Sequence, residues 1–325
     1  MNREIKVCTV GGGTAMPIVN KGLIKAGFIN IKSIVSTFDS GGYTGRIRTD
    51  ERGQVLAFSD YWRSLISLWD DGNQKKIWEE MLRYRDGRSR NFGDTFFQFL
   101  SEKEGNLGEV DELFSKLTGA KLCGEVIPVS LNPSNVCFKT ISGKEYKGEN
   151  FVDDLRMSFD VINNIWLDPP VKANTKAEEI IKNADLIVVG PGTTYGSVLP
   201  NFLPKGIVNA YNQSKAKKIL LINIFSMGNE VKKSTQSEYL EIFKKYLKNE
   251  KPFDLLVMAD LESLNKKTLK EVFYFYELEN SSLVMMDRKC LVKTIMVDLA
   301  KIEESNMRLR HSEEKLADFF ETLEI

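Results

Sequence analysis

The chain has 325 residues, of which 42% are hydrophobic, and this is enough apolar content to build the core of a large α/β domain. Basic and acidic residues balance at 45 each, so no net charge attracts nucleic acid or an anionic membrane. The four cysteines are scattered and form no Cys-x-x-Cys pair. The sequence shows neither the apolar segment of a signal peptide nor an apolar run of about 18 residues that could span a bilayer. We therefore expect a cytoplasmic protein without membrane insertion.

The first elements read as a strand, a turn and a helix. An apolar strand at 5–10 runs into the glycine turn at 11–15, a helix follows at 16–26, and a second strand at 29–38 completes a βαβ unit. Residues 60–118 then show helical apolar periodicity, which predicts a helical insert or lid.

The second half alternates strands and helices. A short antiparallel section with a Ser-Gly hairpin at 140–146 comes first, and a helix at 175–183 with Thr175 as its cap follows. The remaining predicted strands lie at 162–167, 186–189, 219–224, 255–258, 283–286 and 292–297, with helices at 207–214, 236–247 and 312–323. The pattern predicts one α/β domain over residues 1–325, with a Rossmann-like, doubly wound and mostly parallel sheet.

Two glycine-rich turns follow apolar strands, at 11–15 and at 190–197. Glycine lets backbone amides approach a ligand closely, and a helix starting there adds unpaired amides and a positive dipole end. We therefore predict that the two turns hold a phosphorylated small molecule between them. A tight packing turn is the alternative for the first, because Met16 stands where the dinucleotide pattern G-x-G-x-x-G has its last glycine.

The loop after the second strand contains three glycines and two arginines around Asp39. It suits an anionic ligand, with Asp39 free to bind Mg²⁺ or a hydroxyl, whereas a flexible surface loop is the alternative. Asn223 either lines the same crevice or forms an Asx turn. The arginines at 83–90 either form a solvated basic loop or make bidentate phosphate contacts from the lid. His311, the only histidine, is either a surface residue at the entry of the last helix, with Ser312 as cap, or a ligand contact.

Five segments in matching order resemble the CofD-like superfamily and, within it, the YvcK-like gluconeogenesis factor branch. Residues 11–14 resemble its G-G-G-T-G, residues 39–48 its D-D-G-G-S-S-G-R-L-R, and residues 90–94 its lid segment H-P-L-G-N. Residues 190–201 resemble G-P-G-S-L-Y-T-S-I-I-P-N, and residues 310–317 resemble R-H-D-P-x-K-L-A. The chain departs from the family at Ala15, at Ser40, at the missing lid histidine and at 59–63, where the family has G-D-I-R-N.

The resemblance implies a Rossmann-like core and a ligand cleft between the two glycine turns. YvcK-like members bind a UDP-sugar such as UDP-N-acetylglucosamine and act in carbon metabolism, cell-wall synthesis and cell shape. CofD members are transferases that use Mg²⁺ to move a phospholactyl unit from a nucleotide-activated donor to a deazaflavin precursor.

We expect a regulatory protein that binds a UDP-sugar or another nucleotide-activated small molecule, with homo-oligomerisation and protein partners left open. A CofD-type transferase, with Asp39 and Asp60 as Mg²⁺ ligands, is the second reading, and a nicotinamide dehydrogenase is the third. The predicted ligand-binding residues are Gly11, Gly12, Gly13, Thr14, Asp39, Ser40, Gly41, Gly42, Arg46, Asn91, Gly190, Gly192, Thr193, Thr194, Tyr195, Ser197, Asn223 and Arg310.

Overall fold

A seven-stranded sheet, parallel throughout, forms the centre of the molecule. The computed structural model describes residues 4–41, 56–70, 72–88, 90–105, 107–155, 158–231 and 234–325. The strands of this sheet, in chain order, are β1 (Val7–Gly11), β2 (Ile31–Val35), β3 (Gly124–Pro128), β7 (Leu186–Val189), β8 (Lys217–Leu221), β10 (Leu255–Asp260) and β12 (Thr294–Asp298).

The spatial order of these strands is β3-β2-β1-β7-β8-β10-β12. The chain therefore builds outward in one direction from β1 and, after the middle of the sequence, outward in the other direction from β7. This is the order of a doubly wound fold, and it puts the topological switch point between β1 and β7. The predicted Rossmann-like α/β class is confirmed.

Helices cover both faces of the sheet because its strands are apolar on both sides. Within the described residues they are α1 (Met16–Lys25), α2 (Ser59–Leu68), α3 (Asn73–Arg83), α4 (Phe92–Glu104), α5 (Val110–Thr118), α6 (Asn150–Asp154), α7 (Thr175–Asn183), α8 (Ile207–Gln213), α9 (Gln236–Leu247), α10 (Lys266–Leu278) and α11 (Glu313–Thr322). No described helix has the length and apolar character to cross a membrane.

The helices between residues 59 and 118 share a core with the central sheet. Tyr61, Leu65, Phe97 and Phe114 belong to the same buried apolar cluster as Val7 of β1. On the opposite face, a second cluster joins the sheet to the antiparallel section and to α7, α8 and α9. The helical segment is therefore anchored at its first helix by packing on the sheet.

Three small antiparallel sheets complete the fold. One combines β4 (Asn135–Thr140), β5 (Glu145–Lys147) and β6 (Ile162–Asp168), and the Ser-Gly hairpin joins its first two strands as predicted. The others pair β9 (Phe225–Met227) with β11 (Ser281–Leu283), and β13 (Ala300–Glu303) with β14 (Arg308–His311). These last two sheets carry one wall of the site described below.

The predictions need correction at three places. Asn174, not Thr175, caps α7, because its side chain accepts a hydrogen bond from the Lys176 amide. Helix α10 and the β13–β14 hairpin were not predicted. His311 is buried in β14 rather than exposed at a helix entry, because the strand pairs it with Ala300 before α11 begins.

Candidate functional site

The two glycine loops meet at the switch point of the sheet. Gly190 at the end of β7 donates its amide to the carbonyl of Val10 in β1 at 3.0 Å. Farther out, a side chain placed at Gly192 would lie 3.7 Å from the Gly12 carbonyl. The predicted apposition of the loops is therefore present, at the edge where open α/β sheets bind their ligands.

Two of the loop amides are hydrogen-bonded inside the protein. Gly13 N–H donates to Oδ1 of Asp60 at 2.8 Å. Gly192 N–H donates to Oδ1 of Asn223 at 2.8 Å, and the Asn223 amide donates back to the Gly192 carbonyl at 2.7 Å. These two amides are therefore not free to bind a ligand and instead fix the shape of each loop.

The amides of Thr14 and Thr193 are different, because no described residue accepts a hydrogen bond from either of them. Thr14 immediately precedes α1, whose first turn holds no acidic residue and whose cap residue Ala15 has no side chain to satisfy the free amides. An uncapped helix start of this kind attracts anions. Each loop thus contains a threonine whose amide is available to a ligand.

Between the loops and the two outer hairpins lies a cleft of about 320 Å³, which we call the main cleft. It is at the lower end of the volumes of small-molecule sites. Its lining includes Gly13, Thr14, Gly192, Thr193, Ser197, Asn223, Phe225, Glu230, Tyr276, Glu279, Arg308, Arg310 and His311. Polar loop atoms therefore face an aromatic and charged wall across the space.

The wall opposite the glycine loops is held together by contacts among its own side chains. The rings of Phe225 and Tyr276 stack with centroids 3.8 Å apart and planes inclined by 7°. The guanidinium of Arg308 lies over Tyr276 at 5.2 Å and binds both carboxylate oxygens of Glu279, one of them at 2.6 Å. Because Arg308 is fully engaged, the cation of this wall that is left for a ligand is Arg310, which has no side-chain partner among the described residues.

Buried carboxylates lie beneath the first loop. Asp60 is 6% exposed, and burial raises its pKa to about 6, although Arg63 opposes the shift from 3.5 Å. A Cβ at Gly12 would overlap this carboxylate, so only glycine fits there. The pKa of Glu149 is raised well above its usual range, first by burial and then by the charge of Asp39, to which its carboxyl is hydrogen-bonded. Burial therefore favours the protonated form of Glu149, whose hydroxyl can donate the hydrogen bond to Asp39.

The two predicted Mg²⁺ ligands, Asp39 and Asp60, both accept hydrogen bonds from within the protein. Asp39 accepts hydrogen bonds on one oxygen from the Gly41 amide and on the other from the Ser59 hydroxyl. Asp60 accepts from Gly13. Among the described residues, no group of three or more His, Cys, Asp and Glu side chains is arranged to hold a metal ion. Magnesium binding by these two carboxylates stays a prediction.

A third buried carboxylate supports the second loop. Glu230 accepts a hydrogen bond from the Thr194 hydroxyl at 3.1 Å and one from the Tyr195 amide at 3.3 Å. Burial raises the pKa of Glu230 to about 7 despite these donors.

His311 also borders the main cleft. Its buried Nε2 has no hydrogen-bond partner among the described residues, and burial lowers the pKa of the imidazole to about 4.

Comparison with known proteins decides the family. The model of a family described as 2-phospho-L-lactate transferase CofD matches residues 7–303. The chain belongs to the CofD family. Among proteins similar to this family member, one from Listeria innocua named gluconeogenesis factor is 28% identical over 330 residues, covering 98% of this chain and 96% of its own.

Two further relatives carry the provisional name gluconeogenesis factor. The one from Thermotoga maritima is 27% identical, covering 98% of this chain and 99% of its own, and the one from Aquifex aeolicus is 31% identical, covering 75% of each. A crystal structure of a Bacillus halodurans protein has a TM-score of 0.85 at 24% identity, covering 98% of this chain, and supports the fold.

Some residues predicted from the CofD resemblance do not face the main cleft. Asn91 caps α4, accepting from the Asp94 amide at 2.9 Å, and also donates to the Leu82 carbonyl, so its polar atoms are already used. Tyr195 is buried against Tyr246. Gly42 and Arg46 lie outside the described residues.

The remaining predicted residues divide into two sets. Gly13, Thr14, Gly192, Thr193, Ser197, Asn223 and Arg310 line the main cleft. The others do not line it; they are Gly11, Gly12, Asp39, Ser40, Gly41, Asp60, Gly190 and Thr194. Among these, the Ser40 hydroxyl donates to the Asn150 side chain at 2.9 Å, which ties the loop after β2 to α6.

Sequence reasoning missed the carboxylates of Glu149 and Glu230 and the wall of Tyr276, Glu279 and Arg308. Glu230 belongs to the segment that follows Asn223 on the edge of the sheet, which is a usable signal. The other four residues carry no local motif.

Proposed function

We propose that this CofD-family chain is a cytoplasmic regulatory protein that binds a nucleotide sugar of the UDP-sugar class in the main cleft and acts in carbon metabolism, cell-wall synthesis and cell shape. The observation that carries the proposal is the pair of amides at Thr14 and Thr193, which have no hydrogen-bond acceptor among the described residues and belong to two glycine loops that line one cleft at the switch point of the sheet. Such amides suit a diphosphate, whose oxygens accept hydrogen bonds without needing a metal.

The rest of the cleft suits the other parts of such a ligand. Arg310 supplies a positive charge for the diphosphate, and the half-buried ring of Phe225 offers an apolar surface for a base. The Ser197 hydroxyl, which lines the same cleft, suits a sugar hydroxyl as donor or acceptor. The regulatory role is supported by the relatives named gluconeogenesis factor, and the cytoplasmic location is supported by four unpaired cysteines.

Calorimetric titration with UDP-N-acetylglucosamine tests the proposal, with GDP and NADH as competing ligands, each with and without Mg²⁺. A ligand at 100 times its Kd adds about 2.7 kcal/mol to the free energy of unfolding, so a thermal shift should report the same binding. We expect UDP-N-acetylglucosamine to bind without Mg²⁺ and without turnover. Preference for NADH, or no binding of any uridine nucleotide, would refute it.

A phospholactyl transferase is the second candidate, favoured by the description of the matching family and by the hydrogen-bonded carboxyl groups of Asp39 and Glu149 close to the loops. Such a pair could accept a proton from an attacking hydroxyl. The same titration distinguishes the two functions, because a transferase should bind GDP or GMP with Mg²⁺. It should also form a phosphodiester product when a deazaflavin acceptor and its activated donor are supplied.

A further inference from the structure

A second cleft of about 290 Å³ adjoins the main cleft and shares Thr14, Ile18 and Arg310 with it. Its other walls carry three more cations, Lys21, Arg63 and Arg83. We call this space the basic cleft. Glu303 is its single acidic lining residue among those described, and that carboxylate is engaged by the Asn306 amide at 2.6 Å.

The four cations come from four separate elements. Lys21 lies on α1, Arg63 on α2, Arg83 at the end of α3 and Arg310 on β14. The chain therefore brings like charges together from distant parts of the sequence, which costs free energy unless a negative charge compensates them. A run of neighbouring basic residues on one solvated face would not require such convergence.

The carboxylates around the basic cleft compensate these charges incompletely. Glu313 lies 4.0 Å from Lys21 but 2.8 Å from Lys25, so its closer contact is outside the cleft. Oδ1 of Asp60 lies 3.5 Å from Nη1 of Arg63 and also accepts a hydrogen bond from the Gly13 amide.

Of the two other cations, Arg83 has an ion pair at 2.9 Å with Glu79, and Arg310 has none among the described residues. A planar guanidinium can bind two oxygens of a phosphate at once. The guanidinium of Arg63 packs over the Trp62 ring at 5.3 Å, and this contact orients it for binding a phosphate.

We propose that the basic cleft is a second anion subsite, which takes a phosphate-type group next to the one held between the glycine loops. Thr14 and Arg310 border both clefts and would contact both groups. The group is either a further anionic part of the ligand in the main cleft or a separate phosphate-type anion. The subsite does not depend on the nucleotide-sugar proposal, because its charges are independent of what occupies the main cleft.

The test uses inorganic pyrophosphate as the probe and the full chain, measured by calorimetry at low salt. The variant Arg63→Gln/Arg83→Gln removes two cations of the basic cleft and leaves the glycine loops intact. Arg288→Gln, at an exposed arginine on the segment between β11 and β12, is the control for the loss of an arginine outside the basic cleft. Because Arg63 is partly buried, Lys21→Gln/Arg83→Gln serves as a second variant if thermal melting shows that the first is unfolded.

Wild type and Arg288→Gln should bind pyrophosphate equally, and the double variants should bind it at least about tenfold more weakly, as expected when charge-assisted hydrogen bonds are lost. Equal affinity in all variants, or no pyrophosphate binding by the wild type, would overturn the proposal. A repeat with protein saturated with UDP-N-acetylglucosamine separates the two sources. Loss of pyrophosphate binding assigns the subsite to the same ligand, and retention assigns it to a separate anion.

The two proposals fail separately. Pyrophosphate binding that depends on Arg63 and Arg83, in a protein that ignores UDP-N-acetylglucosamine, would sustain the subsite and refute the nucleotide sugar.

Discussion

Replacing Glu230 by glutamine should make the protein more stable at alkaline pH while leaving its stability at acidic pH nearly unchanged. The Glu230 carboxyl is 2% exposed and supports the second glycine loop through Thr194 and Tyr195. Glutamine has nearly the same shape, and its carbonyl oxygen can still accept the Tyr195 amide. The substitution therefore removes the ionisation and keeps most of the packing.

The sign follows from the pKa of Glu230, which is about 7 in the folded chain and 4.5 in a model peptide. Below 4.5 the group is protonated in both states and has no effect on the pH dependence. Between 4.5 and 7 the unfolded chain releases the proton and the folded chain holds it, so stability falls as pH rises, and above 7 the loss is constant. Between pH 5 and pH 8 the wild type should lose about 2 kcal/mol through this group alone.

Urea unfolding of wild type and Glu230→Gln at pH 5 and pH 8 measures this difference, since other titrating groups cancel in the comparison. The exposed Glu304→Gln is the control, and its effect should be the same at both pH values. If Glu230→Gln changes the free energy of unfolding equally at pH 5 and pH 8, the carboxyl is not held protonated by burial, and our account of the second loop is wrong.

Three further predictions concern the loops and the caps. Gly12→Ala places a methyl group against the Asp60 carboxylate and should destabilise the chain by more than about 1 kcal/mol in urea unfolding, whereas Gly87→Ala, which meets open space, should change it by less than about 0.5 kcal/mol. Asn223→Ala removes both hydrogen bonds to the second loop and should weaken UDP-N-acetylglucosamine binding about tenfold by calorimetry; unchanged affinity would contradict it. Asn91→Ala removes a helix cap and should cost about 1 kcal/mol of stability without altering that affinity, and a loss of binding would restore Asn91 to the site.

Most strands of the central sheet could be predicted from sequence because each is a short apolar run bounded by a turn. Leu186–Val189 is buried at every position and was predicted with the observed bounds, as was the amphipathic helix Gln236–Leu247. The glycine loops were predicted for the same reason, since they directly follow β1 and β7. Local pattern is sufficient where burial is continuous along the chain.

The far wall of the main cleft could not be predicted in this way. Tyr276 lies on α10, and Arg308 lies on a hairpin 32 positions later, yet the guanidinium covers the ring of the tyrosine. Neither segment has a motif, because each owes its role to packing against the other. The burial of His311 could not be predicted for the same reason. It follows from the pairing of β14 with β13, and a strand of four residues has too short a pattern to be recognised in the sequence.

The glycine loops share one design, and it explains why carboxylates with raised pKa values lie under a site proposed to bind an anion. Asp60 accepts an amide of the first loop, and Glu230 accepts an amide and a hydroxyl of the second. These contacts fix the backbone of each loop next to Thr14 and Thr193, whose amides have no acceptor among the described residues. Burial raises the pKa of both carboxyl groups to between about 6 and 7, so at neutral pH each is partly protonated, and its negative charge opposes an approaching phosphate less than a surface carboxylate would. Burying these ionisable groups lowers the stability of the fold, but it gives two loops that already have their binding conformation before the ligand arrives, which lowers the free-energy cost of binding.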